Sequence, residues 1–316
     1  MRGRYAPSPT GALHLGNLRT GLLAWLFARA GGGAFILRIE DLDMPRVRPG
    51  AAAQLLEDLR WLGLDWDEGP DVGGALGPYC QSQRAALYDA ALGRLRARGA
   101  LYPCYCSRAE LAQLASAPHE GDGAGEAPAA YPGTCRTLSA RQRQAHEASG
   151  RRPSLRFRAP EQPITFQDAI AGTVSEVVAS AVGDFVVRRS DGVVAYQLAV
   201  VVDDALMGVT QVVRGHDLLS STARQLALFE ALGWPRPVEY AHVPLALDAR
   251  GTRMAKREAS FGVAGARAMG LTARQVTGAL AASCGLCDLG AQPTPAELLT
   301  KFRPESIYRE PSRIAL

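Results

Sequence analysis

The stretch RYAPSPTGALHLGN, residues 4–17, decides the fold of this chain. Arg2 to Ala6 predicts a short strand, because the two prolines and Gly11 that follow exclude a helix and force a turn. From Leu15 onward, apolar residues recur at the spacing of one helix face: Leu18, Leu22, Trp25 and Leu26. The opening therefore predicts a strand, a turn rich in proline and glycine, and a helix.

The next hundred residues continue this alternation. Residues 34–39 predict a second, buried strand that ends in the acidic residues Glu40, Asp41 and Asp43. Helices are predicted over residues 49–64 and from about 82 to 98. Strand and helix in alternation are typical of an α/β fold with a parallel sheet of the Rossmann, nucleotide-binding type.

Composition sets broad limits on function. The 316 residues are 47% hydrophobic and 21% charged, and 35 Lys and Arg face 31 Asp and Glu, which gives a net charge of +4. This mild excess permits an RNA partner without indicating one. The sequence pattern shows neither a signal peptide nor a membrane span, so we expect a cytoplasmic protein. Its six cysteines are then expected to be metal ligands or core residues rather than disulfides.

The middle of the chain has a different character. Residues 104–150 contain three cysteines and the run APHEGDGAGEAPAA, which predicts a flexible loop. Residues 151–190 are rich in valine and arginine and predict strands, and residues 193–215 have the composition of a buried strand. We therefore expect an insertion that splits the parallel-sheet domain. A polar loop follows residue 246, and helices are expected from about residue 271.

Two short stretches have the chemistry of a nucleotide site. His14 and Gly16 lie where the first helix begins, and a helix N-terminus presents free N–H groups to phosphate. Arg4 precedes the turn, where it can meet a carboxylate or phosphate. The loop ARGTRMAKREAS, residues 249–260, offers three cations near a triphosphate: Arg253, Lys256 and Arg257. Taken alone, the first stretch also fits an ordinary capped helix, and the second fits a solvated charge run.

Cysteine spacing offers a candidate metal site and leaves reduced core thiols as the other interpretation. Cys104-x-Cys106 and Tyr131-x3-Cys135 offer three thiolates and one phenolate, a set that suits tetrahedral Zn²⁺. His119, in the intervening loop, is an alternative ligand. Cys284 and Cys287 form a second zinc-like pair, but no complementary pair lies nearby in the sequence, so buried core thiols are the preferred interpretation.

The two basic and glycine-containing stretches together resemble the signatures of class I aminoacyl-tRNA synthetases. HLGN (residues 14–17) resembles the HIGH motif, and RMAKR (253–257) resembles KMSKS. Further segments resemble the glutamyl branch of this family: RYAPSPTG (4–11), RIEDLDMPR (38–46), YCQSQR (79–84), VVAYQLAVVVDD (193–204) and VVRGHDLLSST (212–222). The resemblance extends from residue 1 to about residue 260.

This resemblance implies a set of site residues. The glutamate site falls on Arg4, Ala6, Ser8, Glu40, Tyr196 and Arg214; the ATP site, with Mg²⁺, falls on His14, Gly16, Asn17 and Lys256. Within these, His14, Gly16 and Lys256 are the expected catalytic residues. Two arginines can bind the substrate carboxylates, and Glu40 can bind its ammonium. The chain departs from KMSKS at Arg253, Ala255 and Arg257, which keeps charge but loses both serine hydroxyls.

The resemblance also implies a substrate. Too few residues follow Arg257 for an anticodon-binding domain, as in the short paralogue of the glutamyl-tRNA synthetases. That paralogue carries the C-x-C…Y-x3-C arrangement with one zinc ion. It activates L-glutamate with ATP without needing tRNA, and transfers it to queuosine in the anticodon of tRNA(Asp). A truncated ligase that charges the 3′ end of tRNA(Glu), or a non-catalytic paralogue that binds glutamate or RNA, are the alternatives.

The expected organisation has four parts. Residues 1–100 are the first half of the catalytic domain, and residues 101–183 are the insertion with the zinc site. Residues 184–246 are the second half of the catalytic domain. Residues 247–316 are the KMSKS-like loop and a short helical tail that resembles a stem-contact region. We expect a monomer.

Overall fold

The computed structural model describes residues 1–107, 109–111, 130–247, 251 and 262–316. The predicted opening is confirmed: strand β1 (Arg2–Tyr5) is followed by a turn and by helix α1 (Leu15–Ala30). The second strand, β2 (Ala34–Leu37), and helices α2 (Ala51–Trp61) and α3 (Ala85–Ala97) follow as predicted. The third helix is shorter than expected, because a 3-10 turn over Gln81–Gln83 precedes it.

The remaining elements complete two larger sheets and a helical end. The strands are β3 (Leu101–Cys104), β4 (Ser154–Phe157), β5 (Ile164–Asp168), β6 (Gly172–Glu176), β7 (Phe185–Arg188), β8 (Gln211–Gly215), β9 (Glu239–Val243), β10 (Ala246–Leu247) and β11 (Ser312–Arg313). The helices are α4 (Ala140–Ala148), α5 (Val178–Ala181), α6 (Tyr196–Leu206), α7 (Leu219–Leu232), α8 (Val263–Ala268), α9 (Ala273–Ala282) and α10 (Pro295–Leu299).

The main sheet has the strand order β2-β1-β8-β9-β5-β6 among the described residues. Its first five strands are parallel, and β6 is antiparallel to β5. A smaller antiparallel sheet, β3-β4-β7, lies beside it. The parallel sheet confirms the predicted fold class, and its strand order reverses direction between β1 and β8. Ligands of such sheets bind beyond the carboxyl ends of the strands at this reversal.

Helix α1 is the centre of the main core. It is buried on nearly all sides, because it packs on β1 and β8 and is covered by α9 and α10. Gly3 permits this close packing, since a Cβ atom there would lie 2.8 Å from Cβ of Ala28. Because α1 is buried in this way, the position of its N-terminus, where His14 and Gly16 lie, is fixed.

Two predictions differ from the structure. Residues 193–215 do not form one buried strand, because Tyr196–Leu206 is helix α6 and only Gln211–Gly215 is a strand. A short, continuous apolar run does not distinguish a buried strand from a buried helix. Strands β5 and β6, within the predicted insertion, join the main sheet, whereas β7, beyond its predicted end, joins the smaller sheet. The division into domains stays a prediction, but its boundaries do not follow the sheets.

Among the described helices, none combines the length and the apolar composition needed to cross a membrane.

Candidate active site and metal site

A cavity of about 580 Å³ opens at the carboxyl ends of β1 and β8, where the sheet order reverses. It brings together most of the site residues predicted from the sequence: Arg4, Ala6, Ser8, His14, Gly16, Asn17, Glu40, Tyr196 and Arg214. Lys256, with Arg253 and Arg257, lies outside the described residues. A cavity of this size is in the range that small-molecule ligands occupy.

His14 begins helix α1 as its N-cap. Its Nδ1 accepts a hydrogen bond from the backbone N–H of Asn17 at 3.3 Å. Gly16 lies so close to this ring that a Cβ atom would be 3.1 Å from Nδ1 of His14 and 3.2 Å from Cβ of Ala246. The chain that leaves the predicted KMSKS-like loop forms an antiparallel bridge from Gly262 to His14. The helix N-terminus and the exit of that loop therefore adjoin the same cavity.

A cluster of buried ion pairs lies beneath the cavity. Arg38 donates to Asp204 at 2.8 Å and to Glu40 at 3.1 Å. Arg4 donates from Nε and Nη2 to the two oxygens of Asp204, both at 3.3 Å. Asp203, which lies 3.7 Å from Arg38, accepts from Nε of Arg84 at 2.6 Å. Three arginines thus face three carboxylates, and this cluster balances its own charge.

Arg214 differs from these arginines. Its Nε donates to Nε2 of His242 at 3.0 Å, and its Nη2 donates to Oγ1 of Thr222 at 2.8 Å. Its Nη1 is buried and has no hydrogen-bond partner, and no ion pair to Arg214 occurs within the described part of the chain. Burial lowers the pKa of Arg214. A buried cation without an anionic partner costs several kcal/mol, so this site favours an incoming carboxylate.

The cavity also contains a negative group and a phenol. Burial raises the pKa of Glu40, and the charges of Arg38 and Arg4 oppose that rise. The side chain of Glu40 is 9% exposed, whereas Tyr196 at the start of α6 is 37% exposed. Tyr196 is the first residue of α6 and lines the cavity. The cavity therefore combines a carboxylate that can bind a cation, an arginine that can bind an anion and a phenol that can donate a hydrogen bond.

A second cluster lies in the smaller sheet and the chain beside it. The Sγ atoms of Cys104, Cys106 and Cys135 are all within 4.8 Å of one another. Tyr131 joins them, since its Oη lies 3.4 Å from Sγ of Cys104 and 3.9 Å from Sγ of Cys106. The four ligand atoms predicted from the sequence are therefore close together.

The geometry of this cluster fits a tetrahedral zinc ion. Zn–S bonds of about 2.3 Å require sulfur atoms about 3.8 Å apart, and a phenolate oxygen about 3.5 Å from each sulfur. The distance between Sγ of Cys106 and Sγ of Cys135 is 3.6 Å. Burial and the neighbouring Cys104 raise the pKa of Cys106 to about 12, so a dication is needed to hold this thiol in ionised form. The donor set therefore fits zinc.

Arg156 stands directly behind this cluster. Its Nε donates to Sγ of Cys104 at 3.2 Å, and its guanidinium carbon lies 3.6 Å from the ring centroid of Tyr131. Although burial opposes ionisation, hydrogen bonds from Tyr131 and Arg156 lower the pKa of Cys104. Three thiolates, a phenolate and Zn²⁺ carry two net negative charges, which this arginine partly offsets.

The other metal-binding candidates do not form a site within the described residues. Cys284 is 4% exposed and packs with Cys287 in the main core, as expected for core thiols. Neither belongs to a group of potential ligands in the described ranges. His119 lies outside the described residues.

Several functional side chains were missed at the sequence level. Arg38 and Asp204 lie within the RIEDLD and VVVDD segments, but their pairing joins positions far apart in the chain. His242 and Thr222 contact Arg214, and Asp168 contacts His242. Thr222 ends the VVRGHDLLSST segment without having been singled out, and no sequence motif marks Asp168 or His242. Only the sheet order, which places β5 beside β9, brings Asp168 to this position.

Comparison with known proteins gives the family. The model for "tRNA synthetases class I (E and Q), catalytic domain" matches residues 1–276. The glutamyl-Q tRNA(Asp) synthetase of Symbiobacterium thermophilum is 58% identical over 312 residues, 99% of this chain and 95% of its own. The protein of that name from Nitratidesulfovibrio vulgaris is 54% identical, over 90% and 87%. The solved glutamate-tRNA synthetase of Elizabethkingia anophelis superposes with a TM-score of 0.85 at 30% identity, over 100% of this chain and 68% of its own.

Proposed function

The chain belongs to the class I tRNA synthetases for glutamate and glutamine, and we propose that it transfers L-glutamate to queuosine in the anticodon of tRNA(Asp). The relatives with 58% and 54% identity carry the name of this activity, over nearly their whole length. Enzymes of this class use ATP with Mg²⁺. The chain is therefore a ligase that first activates glutamate and then transfers it to RNA.

The observation that carries the amino-acid specificity is the buried Arg214. Free glutamate has two carboxylates and one ammonium, so it brings one net negative charge. The cluster of Arg4, Arg38 and Arg84 with its three carboxylates is balanced, and Arg214 adds one further cation at the same cavity. The anion nearest to Arg214 through its hydrogen bonds, Asp168, lies beyond His242 and makes no direct contact with the guanidinium. Glutamate brings two carboxylates to Arg4 and Arg214, whereas glutamine brings one and leaves one guanidinium without a substrate carboxylate. This pairing supports glutamate as the substrate.

The first step is formation of glutamyl-adenylate. Arg4 and Arg214 hold the substrate carboxylates, Glu40 binds the ammonium, and Tyr196 orients the bound amino acid through its hydroxyl. A carboxylate oxygen attacks the α-phosphorus of ATP, and pyrophosphate leaves. His14 and the first N–H groups of α1 stabilise the charge on the phosphates, together with Lys256. No covalent bond to the protein is needed, because positioning and charge stabilisation carry the reaction.

The second step delivers the glutamyl group. A queuosine hydroxyl attacks the carbonyl carbon of the adenylate, the bond from that carbon to the phosphate oxygen breaks, and AMP leaves as its phosphate takes up the hydroxyl proton. Cys104, Cys106, Tyr131 and Cys135 would hold one zinc ion, which supplies a structural link between β3 and the chain near residue 135. The cluster lies at the smaller sheet and not among the cavity-lining residues. We therefore assign it a structural role and no part in the chemical steps. A monomer in the cytoplasm stays a prediction from the sequence.

Transfer of labelled glutamate tests this proposal. The purified chain is incubated with ATP, [14C]glutamate and either tRNA(Asp) with queuosine, tRNA(Asp) with unmodified guanosine, or tRNA(Glu). We expect label only on the queuosine tRNA, and we expect prior periodate oxidation of the queuosine diol to abolish it. Label on the 3′ end of tRNA(Glu) would instead identify a truncated ligase. No label on any RNA would leave a non-catalytic paralogue.

A further inference from the structure

A chain of buried hydrogen bonds leads to Arg214 across three strands. Asp168, the last residue of β5, lies 2.6 Å from Nδ1 of His242 on β9. His242 in turn lies 3.0 Å from Nε of Arg214 on β8 through its Nε2. The three side chains are 4%, 0% and 5% exposed. Water does not compete for these bonds, so each partner fixes the next.

The register of the sheet makes this chain possible. Arg214 and His242 are directly paired across β8 and β9, and their side chains therefore project to the same face. Asp168 pairs with Tyr240, two residues before His242 on β9. Its carboxylate also accepts the backbone N–H of His242 at 3.1 Å, which holds it against the ring. The arrangement is built into strand backbone and not into a mobile loop.

The hydrogen-bond partners assign the tautomer of His242. A carboxylate on the Nδ1 side requires Nδ1 to carry the proton, so the ring donates to Asp168. Nε2 then has a lone pair, which accepts from the guanidinium of Arg214. Thr222 completes the set, because its Oγ1 accepts from Nη2 of Arg214 at 2.8 Å and lies 3.1 Å from Nε2 of His242. Burial lowers the pKa of His242, in keeping with a neutral ring.

A neutral partner has a specific advantage at this position. Arg4 is oriented by the carboxylate of Asp204, which offsets part of its charge, whereas Arg214 is oriented by an imidazole and a hydroxyl, which are uncharged. The anion of this group, Asp168, is one side chain further away. The charge of Arg214 and its unpartnered Nη1 are therefore left for a ligand.

We propose that Asp168 and His242 are positioning residues, which orient the guanidinium of Arg214 toward a carboxylate of the amino-acid substrate. This inference rests on the proposed function, because it takes glutamate as that substrate. Neither residue touches the substrate itself. Their contribution is to fix the side chain of Arg214 before binding, so that the enzyme does not lose binding energy in ordering it.

Two substitutions of His242 separate positioning from simple packing. The amide of His242→Asn lies near the former Nδ1, so it keeps a partner for Asp168 and loses the contact with Arg214. The amide of His242→Gln reaches the former Nε2, where its oxygen accepts from Arg214. Both variants remove the same ring from the core, so packing effects are matched. ATP–pyrophosphate exchange then gives KM for glutamate and KM for ATP in each variant.

We expect His242→Asn to raise KM for glutamate about tenfold to hundredfold and to leave KM for ATP within about twofold. His242→Gln should recover most of this loss. Equal KM for glutamate in both variants and wild type would overturn the inference, as would a rise of both KM values to the same extent in both variants. A wild-type protein with no glutamate-dependent exchange would overturn the proposed function itself, so the two failures are distinguishable.

The tautomer gives a readout that does not depend on activity. Oδ1 of Asp168 accepts the backbone N–H groups of Ile170 and Ala171 at 3.0 and 2.8 Å. In Asp168→Asn, the amide oxygen therefore stays at this position, and the NH₂ group faces Nδ1 of His242. The ring must then carry its proton on Nε2, so that two N–H donors, of His242 and of Arg214, face each other and their hydrogen bond is lost.

Nitrogen-15 NMR of histidine-labelled protein distinguishes these states. We expect the Nδ1–H tautomer at His242 in the wild type and the Nε2–H tautomer in Asp168→Asn, with KM for glutamate raised and the melting profile still cooperative. An Nε2–H tautomer in the wild type, or an unchanged KM after the tautomer has switched, would overturn the inference.

Discussion

Asp204→Asn would remove the carboxylate to which two buried arginines bind. Asp204 is 2% exposed, and it accepts from Nη1 of Arg38 at 2.8 Å and from two nitrogens of Arg4 at 3.3 Å. The asparagine has nearly the same shape, so the substitution leaves no cavity. It turns one oxygen into a donor that faces an arginine, and it leaves the cluster with one excess positive charge.

The expected loss of stability is that of a buried ion pair that has lost one partner. Removing one partner of a buried ion pair costs about 3–5 kcal/mol, because the other charge stays buried without compensation. A loss of 3 kcal/mol lowers Tm by roughly 6 °C or more in a chain of this size. Arg4 also loses the side chain that orients it at the cavity, so KM for glutamate should rise about tenfold.

The pH dependence of this loss has a definite sign. The opposing arginines lower the pKa of Asp204 below its ordinary value of 3.8, against the effect of burial. A carboxylate with a depressed folded-state pKa stabilises the protein above its unfolded-state pKa, and this contribution is lost as the pH falls through the folded-state pKa. The Tm difference between wild type and variant should therefore be constant from pH 8 to pH 5 and shrink only below about pH 4.

Thermal unfolding of wild type, Asp204→Asn and a matched control measures this. The control is Asp43→Asn, because Asp43 makes two long ion pairs at the surface, 3.7 Å to Arg46 and 3.8 Å to Arg189. We expect the control to change the free energy of unfolding by less than about 0.5 kcal/mol. An Asp204→Asn variant with the Tm of the control would refute the claim that this carboxylate holds the two arginines.

Further predictions concern the metal cluster and the nucleotide turn. Arg156→Met should weaken zinc binding about tenfold to hundredfold in a chelator competition, because the thiolates lose the cation behind them. The control is Arg158→Met, which should leave zinc affinity unchanged, since the guanidinium of Arg158 lies over Tyr102. Equal zinc affinities in the two variants would contradict the role of Arg156. Gly16→Ala should raise KM for ATP at least fivefold, since its Cβ would meet the His14 ring at 3.1 Å. The control is Gly93→Ala, at an open position of α3, which should stabilise the protein by about 0.5–1 kcal/mol. An unchanged KM for ATP in Gly16→Ala would contradict the close contact between position 16 and the His14 ring.

The opening of the chain was predictable because its signals are local. Prolines and glycine in the turn, followed by apolar residues at helical spacing, left one interpretation for residues 2–30. The cysteine spacing alone left zinc open, because tyrosine is an unusual zinc ligand, and the resemblance to the short glutamyl branch favoured it. In both cases the structure brings together the residues that the sequence had singled out.

The helix at Tyr196–Leu206 was not predictable from its own pattern. Residues 198–202 form a short, continuous apolar run, and such a run does not distinguish a buried strand from a buried helix. The partners of Arg214 were missed for a different reason. Asp168 and His242 are 74 residues apart, and their contact exists only because β5 joins the main sheet beside β9. Sheet order depends on the whole chain, and no local signal encodes it.

Glutamate-dependent ATP–pyrophosphate exchange, measured with purified protein and no RNA, shows whether the chain activates glutamate by itself. Ordinary glutamyl-tRNA synthetases need tRNA for this step, and the short branch that the chain resembles does not. We expect exchange that depends on glutamate, is absent with glutamine and is lost in Lys256→Ala. Exchange that appears only after tRNA(Glu) is added would contradict it.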